Sequence, residues 1–122
     1  MFDHIGLAVG DLARSVRFYG AALEPLGYRL ESHDPKGNSA AFGSPGTPQF
    51  WLGQGLAPGP VHFAFRAPNR ASVQRFHKAA LAAGAKDNGA PGIRASYGES
   101  YYAAFVIDPD GHNVEAVCLR PE

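Results

Sequence analysis

The amino-acid sequence predicts an α+β protein made of two β-α-β-β-β modules, and three observations predict it. Apolar residues alternate with period two in several short segments, two other segments carry them at helical spacing, and the same succession occurs twice along the chain. The repeat places module one at residues 1–54 and module two at 61–120, with Gly55 to Pro60 as a Gly/Pro-rich connector. A chain of 122 residues buries one core and does not divide comfortably into two, so residues 1–122 are expected to form one domain.

Module one opens with Phe2 to Val9, in which Ile5, Leu7 and Val9 share one parity and His4, Gly6 and Ala8 the other, as in a half-buried strand. Asp11 is placed to cap a helix, and Leu12, Val16, Tyr19 and Leu23 keep helical spacing until Pro25 and Gly27 end it. Three strands are predicted next, Tyr28 to Ser32, Ser39 to Gly43 and Gln49 to Gly53, with turns at Asp34 to Asn38 and Ser44 to Gly46. Module two repeats the order. From Val61 to Ala67, Val61, Phe63 and Phe65 alternate with His62, Ala64 and Arg66; Asn69 then caps a helix carrying Val73, Phe76 and Ala80, and Gly84 stops it. Strands follow at Tyr101 to Asp108 and Asn113 to Leu119, joined by the turn Asp108-Pro109-Asp110-Gly111. Asn88 to Gly98, rich in Gly and Pro, is expected to be an irregular loop or a weak strand. The halves correspond at His4 and His62, at the helix stops Gly27 and Gly84, and in their last strands, where Trp51 falls at the place of Glu115.

Eleven Lys and Arg balance 11 Asp and Glu, so no net field draws the chain to nucleic acid or an anionic membrane, and a small molecule or another protein is the expected partner. No apolar stretch approaches a membrane span, and neither signal peptide nor anchor is expected. The single cysteine, Cys118, has no internal disulfide partner and reads as a small buried residue, which fits a reducing compartment and a cytoplasmic location.

Strand parity puts His4, His62, Trp51 and Glu115 on the sheet face opposite the helices. Two neutral imidazoles and a carboxylate on convergent strands are a donor set for a divalent metal (Fe, Mn, Ni or Zn) that leaves positions open for water or substrate. Structural readings stand beside this one: a strand histidine satisfied by its neighbours, Glu115 paired with Arg66 or Arg94, Trp51 serving as packing. His112 is expected to face solvent in its turn, and His33 and His77, on a loop and a helix, have no evident partners.

His4 with Asp11-Leu12, Ser15 and Phe18-Tyr19, then His62, then Asp108-Pro109-Asp110-Gly111 followed by Glu115, resembles the pattern of the vicinal oxygen chelate superfamily of glyoxalases, bleomycin-resistance proteins and extradiol dioxygenases. The resemblance covers essentially the whole chain. It implies an open, cup-shaped mixed sheet with helices on its outer face, a divalent metal held by His4, His62 and Glu115, and a homodimer that sometimes exchanges modules. Trp51 stands where glyoxalase-type members carry a fourth ligand and cannot coordinate a metal, which favours the two-histidine, one-carboxylate set of the dioxygenases. The further active-site histidine of those dioxygenases has no counterpart between His33 and His62. Two functions are implied. One is a metal-dependent lyase, isomerase or dioxygenase chelating adjacent oxygens of a small metabolite; the other is a metal-free protein that sequesters a small ligand, as bleomycin-resistance proteins do. In either, Trp51, Arg94, Tyr97 and Tyr101 are expected to bind substrate, and parity points to Tyr102 as the catalytic phenol.

Overall fold

The computed structural model describes residues 1–56 and 59–121. Ala57 and Pro58, within the connector predicted from Gly55 to Pro60, lie outside the described residues. Module one contains β1 (Ile5–Val9), α1 (Leu12–Leu23), a single 3₁₀ turn (Glu24–Leu26), β2 (Arg29–Asp34), β3 (Ser39–Ser44) and β4 (Thr47–Gln54). Module two contains β5 (His62–Arg66), α2 (Arg70–Ala82), β6 (Lys86–Ile93), β7 (Tyr102–Ile107) and β8 (Asn113–Cys118). The β-α-β-β-β order therefore occurs twice.

The strands form two open four-stranded mixed sheets, ordered β1-β4-β3-β2 and β5-β8-β7-β6. In each, the first and last strands of the module pair in parallel and the remaining pairs are antiparallel. This follows from the helix between the first two strands, which carries the chain across the sheet, while short turns make the rest a meander. The helices begin and end where their sequence dictates. The Asp11 carboxylate accepts from the Arg14 amide at 3.0 Å and the Asn69 side chain from the Ser72 amide at 2.8 Å. Beyond the helices, Gly27 and Gly84 take positive φ angles of 90° and 105° that a side chain would resist.

The ambiguous stretch after α2 is partly a strand. Residues 86–93 form the edge strand β6, with register irregularities at Asp87/Gly89 and Gly89/Gly92, and an irregular turn follows. Its composition disfavours a strand, but hydrogen bonding to β7 supplies the order that propensity does not. His33, expected on a loop, is part of β2, and His77 contacts Asp87 at 2.9 Å across α2 and β6.

One core joins the modules. Leu7, Val9, Phe42, Phe50 and Leu52 of the first sheet pack with Phe18, Tyr19 and Leu23 of α1, Val73, Phe76 and Ala80 of α2, and Val106, Val114, Ala116 and Cys118 of the second sheet. Phe50 bridges the halves, its ring centroid 5.4 Å from that of Phe63 and 5.2 Å from that of Phe65. Each fully buried Phe or Leu contributes roughly 1.5–3 kcal/mol, so the shared core is the main force holding the modules together.

Polar contacts fix their relation. The Tyr19 hydroxyl donates to the buried Asp108 carboxylate, which also accepts from the amides of Asp110 and His112, and the Asp110 carboxylate accepts from the Gly10 amide at 3.0 Å. The turn between β7 and β8 is thus tied to the start of α1. Among the described residues no helix is long and apolar enough to cross a membrane.

Candidate functional site

Cross-strand register decides which side chains share the faces turned away from the core. In the first sheet Trp51 pairs with Gly6 of β1 and Ala41 of β3, so the half-buried indole stands between two positions with little or no side chain. His4 precedes β1. Its side chain is 59 % exposed and its Nδ1 contacts Asp3 at 2.7 Å.

In the second sheet His62 pairs with Asn113, Ala64 with Glu115, and Glu115 with Phe105 of β7. All lie on one face, opposite Phe63, Phe65, Val114 and Ala116. Glu115 is 2 % exposed although it points away from the core, because Tyr101 and His62 close over it. The Tyr101 hydroxyl donates to Glu115 Oε2, and His62 Nε2 lies 3.1 Å from Oε1. His62 Nδ1 lies 2.9 Å from the Asn113 carbonyl, which only accepts, so Nδ1 carries a hydrogen. In the neutral imidazole the Nε2 lone pair then faces a carboxylate oxygen. Two acceptors at that distance repel unless a cation, a second imidazole proton or a metal ion, lies between them.

Loss of solvent on folding, followed by the hydrogen bond to Glu115 and that carboxylate's charge, pushes the Tyr101 phenol up to about 12. It therefore stays a donor throughout the neutral range. Tyr97 packs edge-on against Tyr101 with centroids 5.4 Å apart, and Arg94 lies over Phe105.

Tyr102 lies on the other face of β7. It shares the core-side face with Ala104 and Val106, its hydroxyl accepts from Gln74 Nε2 of α2 at 2.9 Å, and the Arg70 guanidinium lies 5.1 Å from its ring. The phenol that reaches Glu115 is Tyr101. The signal was present, since the register Phe105 to Glu115 puts odd-numbered residues of β7 on the Glu115 face, but register depends on how the intervening turn folds. His112, expected in solvent, is fully buried: Asp108 draws in its amide, its Nδ1 accepts from the Val61 amide at 3.2 Å, and Nε2 has no partner among the described residues. Neither Arg66 nor Arg94 pairs with Glu115; Arg94 donates to the carbonyls of Gly92 and Ala90 instead.

The structure thus brings together His62, Glu115 and Tyr101, with Arg94 and Tyr97 beside them, and leaves His4 apart. Among the described residues no three His, Cys, Asp or Glu side chains are grouped to hold a metal ion. His62 and Glu115 fit two places of one. Their donor atoms stand 3.1 Å apart.

Comparison with known proteins gives the family. None of the curated proteins matches the chain. Among solved structures, a glyoxalase/bleomycin resistance protein from Albidiferax ferrireducens superposes with a TM-score of 0.81 at 28 % identity, covering 99 % of both chains. A glyoxalase/bleomycin resistance protein/dioxygenase family enzyme from Burkholderia phytofirmans PsJN shares the fold at 15 % identity, with a TM-score of 0.75 over 97 % of this chain and 98 % of that one. A glyoxalase I mutant from Zea mays matches 95 % of this chain and 45 % of its own at 25 % identity, with a TM-score of 0.70. The family model of the Glyoxalase/Bleomycin resistance protein/Dioxygenase superfamily matches residues 1–116, and the chain belongs to that superfamily.

Proposed function

We propose that the protein is a metal-dependent enzyme acting on a small oxygenated metabolite, as a lyase, isomerase or dioxygenase, with His62 and Glu115 as two of its metal ligands. The observation that carries this reading is the approach of His62 Nε2 to Glu115 Oε1 at 3.1 Å, with Nδ1 turned to the Asn113 carbonyl. A divalent ion bound there would supply Lewis-acid polarisation of two adjacent substrate oxygens. The surrounding residues prepare that place. Asn113 orients the imidazole, and Tyr101 holds Oε2 so that Oε1 turns to His62. Tyr101 is then the phenol beside the proposed ligands, in the role expected of Tyr102. Trp51 would form an apolar wall.

The third ligand of this reading, His4, precedes β1 and is not grouped with His62 and Glu115. We assign it to the site formed with a second copy of the chain, so that a homodimer completes each site across subunits. Residues 1–54 and 61–120 act in this reading as the two half-sites of one cytoplasmic domain. The test is metal content by inductively coupled plasma mass spectrometry, after reconstitution with iron, manganese, nickel or zinc, for wild type, His62→Ala and the pair His4→Ala and Glu115→Ala expressed together. Near-stoichiometric metal is expected in wild type, none in His62→Ala, and up to about one site per mixed dimer for the co-expressed pair. Absence of metal from the wild type would overturn the proposal.

One observation favours a second reading, a metal-free protein that sequesters a planar ligand. The indole of Trp51 lies between Gly6 and Ala41, where an aromatic ligand could stack on it. Quenching of the single tryptophan by such a ligand, in a protein that takes up no metal, would decide for it.

A further inference from the structure

The face of the second sheet turned away from the helices carries chemistry beyond the His62 and Glu115 pair. On that face β6 has glycines: Gly89 pairs with Phe105 and Gly92 with Ala103. Arg94, next along the chain, joins Tyr101 through its amide at 2.8 Å and lays its side chain back over both glycines. A Cβ at Gly89 would stand 3.0 Å from Arg94 Nη2, and one at Gly92 would stand 3.2 Å from Nη1. The glycines make the room that the guanidinium fills.

That guanidinium is fixed before any ligand arrives. Nη1 donates to the Gly92 carbonyl at 3.0 Å and Nη2 to the Ala90 carbonyl at 2.8 Å, while the central carbon lies 5.2 Å from the Phe105 ring centroid. Three of its five N–H donors are left. The residue is half-buried, and among the described residues no carboxylate lies within ion-pair distance of it. Carbonyls disperse a positive charge without neutralising it, so a partly desolvated cation with a free donor edge favours an anion. Phe105 links it to the proposed metal ligands, because the His62 ring stacks on Phe105 with centroids 6.2 Å apart.

We infer that Arg94 anchors a carboxylate of the substrate, a small planar acid whose body spans Phe105 and whose reactive oxygens reach His62 and Glu115. The placement of the reactive end rests on the function proposed above; the anion anchor does not. A pre-oriented planar fork matches a carboxylate in a way that a mobile surface lysine does not.

The experiment uses the metal-free protein and two probes of equal shape, benzoate and benzamide, followed through the arginine Nε–H resonances in ¹H–¹⁵N spectra. Benzoate is expected to shift one resonance that is missing from Arg94→Lys and Arg94→Gln, benzamide is expected to leave that resonance unchanged, and benzoate affinity followed by isothermal titration calorimetry is expected to fall about tenfold or more in Arg94→Gln. If Arg94→Gln fails to fold, Arg94→Lys takes its place, because it keeps the charge and loses the fork, and several-fold weaker binding is expected. Equal affinity for wild type and variant, or an equal shift with benzamide, would overturn the anchor. Metal content is measured on the same samples. A protein that takes up no metal yet loses benzoate on substitution of Arg94 keeps the anchor and rejects the metal site.

Discussion

Tyr101 loses solvent on folding and gives its hydroxyl hydrogen to Glu115, and its pKa rises from the ordinary 10.0 to about 12. A phenol that holds its proton more tightly in the folded chain stabilises it below pH 10, and that contribution is lost as pH rises through about 12. In an absorbance titration of phenolate, Tyr101→Phe is expected to remove one late-titrating phenol and leave the early ones unchanged; loss of an early-titrating phenol instead would mean that Glu115 does not hold Tyr101. Tyr19, raised by burial first and by Asp108 second, is expected to remain among the late groups. At this scale His62, Glu115 and Trp51 were legible in the sequence as residues of an outer face, because alternation within one strand has a strict period of two. Which of Tyr101 and Tyr102 faces Glu115 was not legible, because parity carries from one strand to the next only through register. The burial of His112 was invisible for another reason: the Asp108 carboxylate turns the loop inward by accepting two of its amides.

At the scale of elements, turns hold what propensity leaves open. The β3–β4 hairpin changes register between Phe42 and Gly43, and there the chain approaches itself so closely that a Cβ on Gly43 would stand 1.9 Å from the Thr47 carbonyl oxygen. Since that atom is backbone, the hairpin itself must move. Gly43→Ala is expected to cost about 3 kcal/mol in denaturant unfolding, whereas Gly53→Ala, with no atom within 4 Å of the added Cβ, should cost far less. Equal losses would show that β-propensity and not the close approach sets the cost. Both helices were legible to within a residue or so, since caps and stops add to an apolar period. β6 was legible only in part: its Gly and Pro content leaves an irregular loop or a weak strand open, and pairing with β7 makes it a strand. Gly89 and Gly92, which weaken that strand, also make room for Arg94.

For the whole molecule, the sequence repeat gave the two modules but not the way they meet. Their relation rests on a shared core around Phe50 and on the ties of Asp108 and Asp110 to Tyr19 and Gly10, contacts between distant segments that no local pattern records. The consequence for the site is that His62 and Glu115 converge while His4 does not, so the expected ligand set is assembled only in part within one chain. What the chain does hold is an imidazole nitrogen and a carboxylate oxygen 3.1 Å apart, two donors suited to a bound cation. Glu115→Gln keeps the shape and removes the charge, and its amide can donate to the histidine lone pair. The decisive measurement is the thermal midpoint of wild type and Glu115→Gln, each with and without added zinc or manganese. Metal is expected to raise the midpoint of the wild type and to leave that of Glu115→Gln unchanged. An equal rise in both proteins, or none in either, would contradict a metal site at His62 and Glu115.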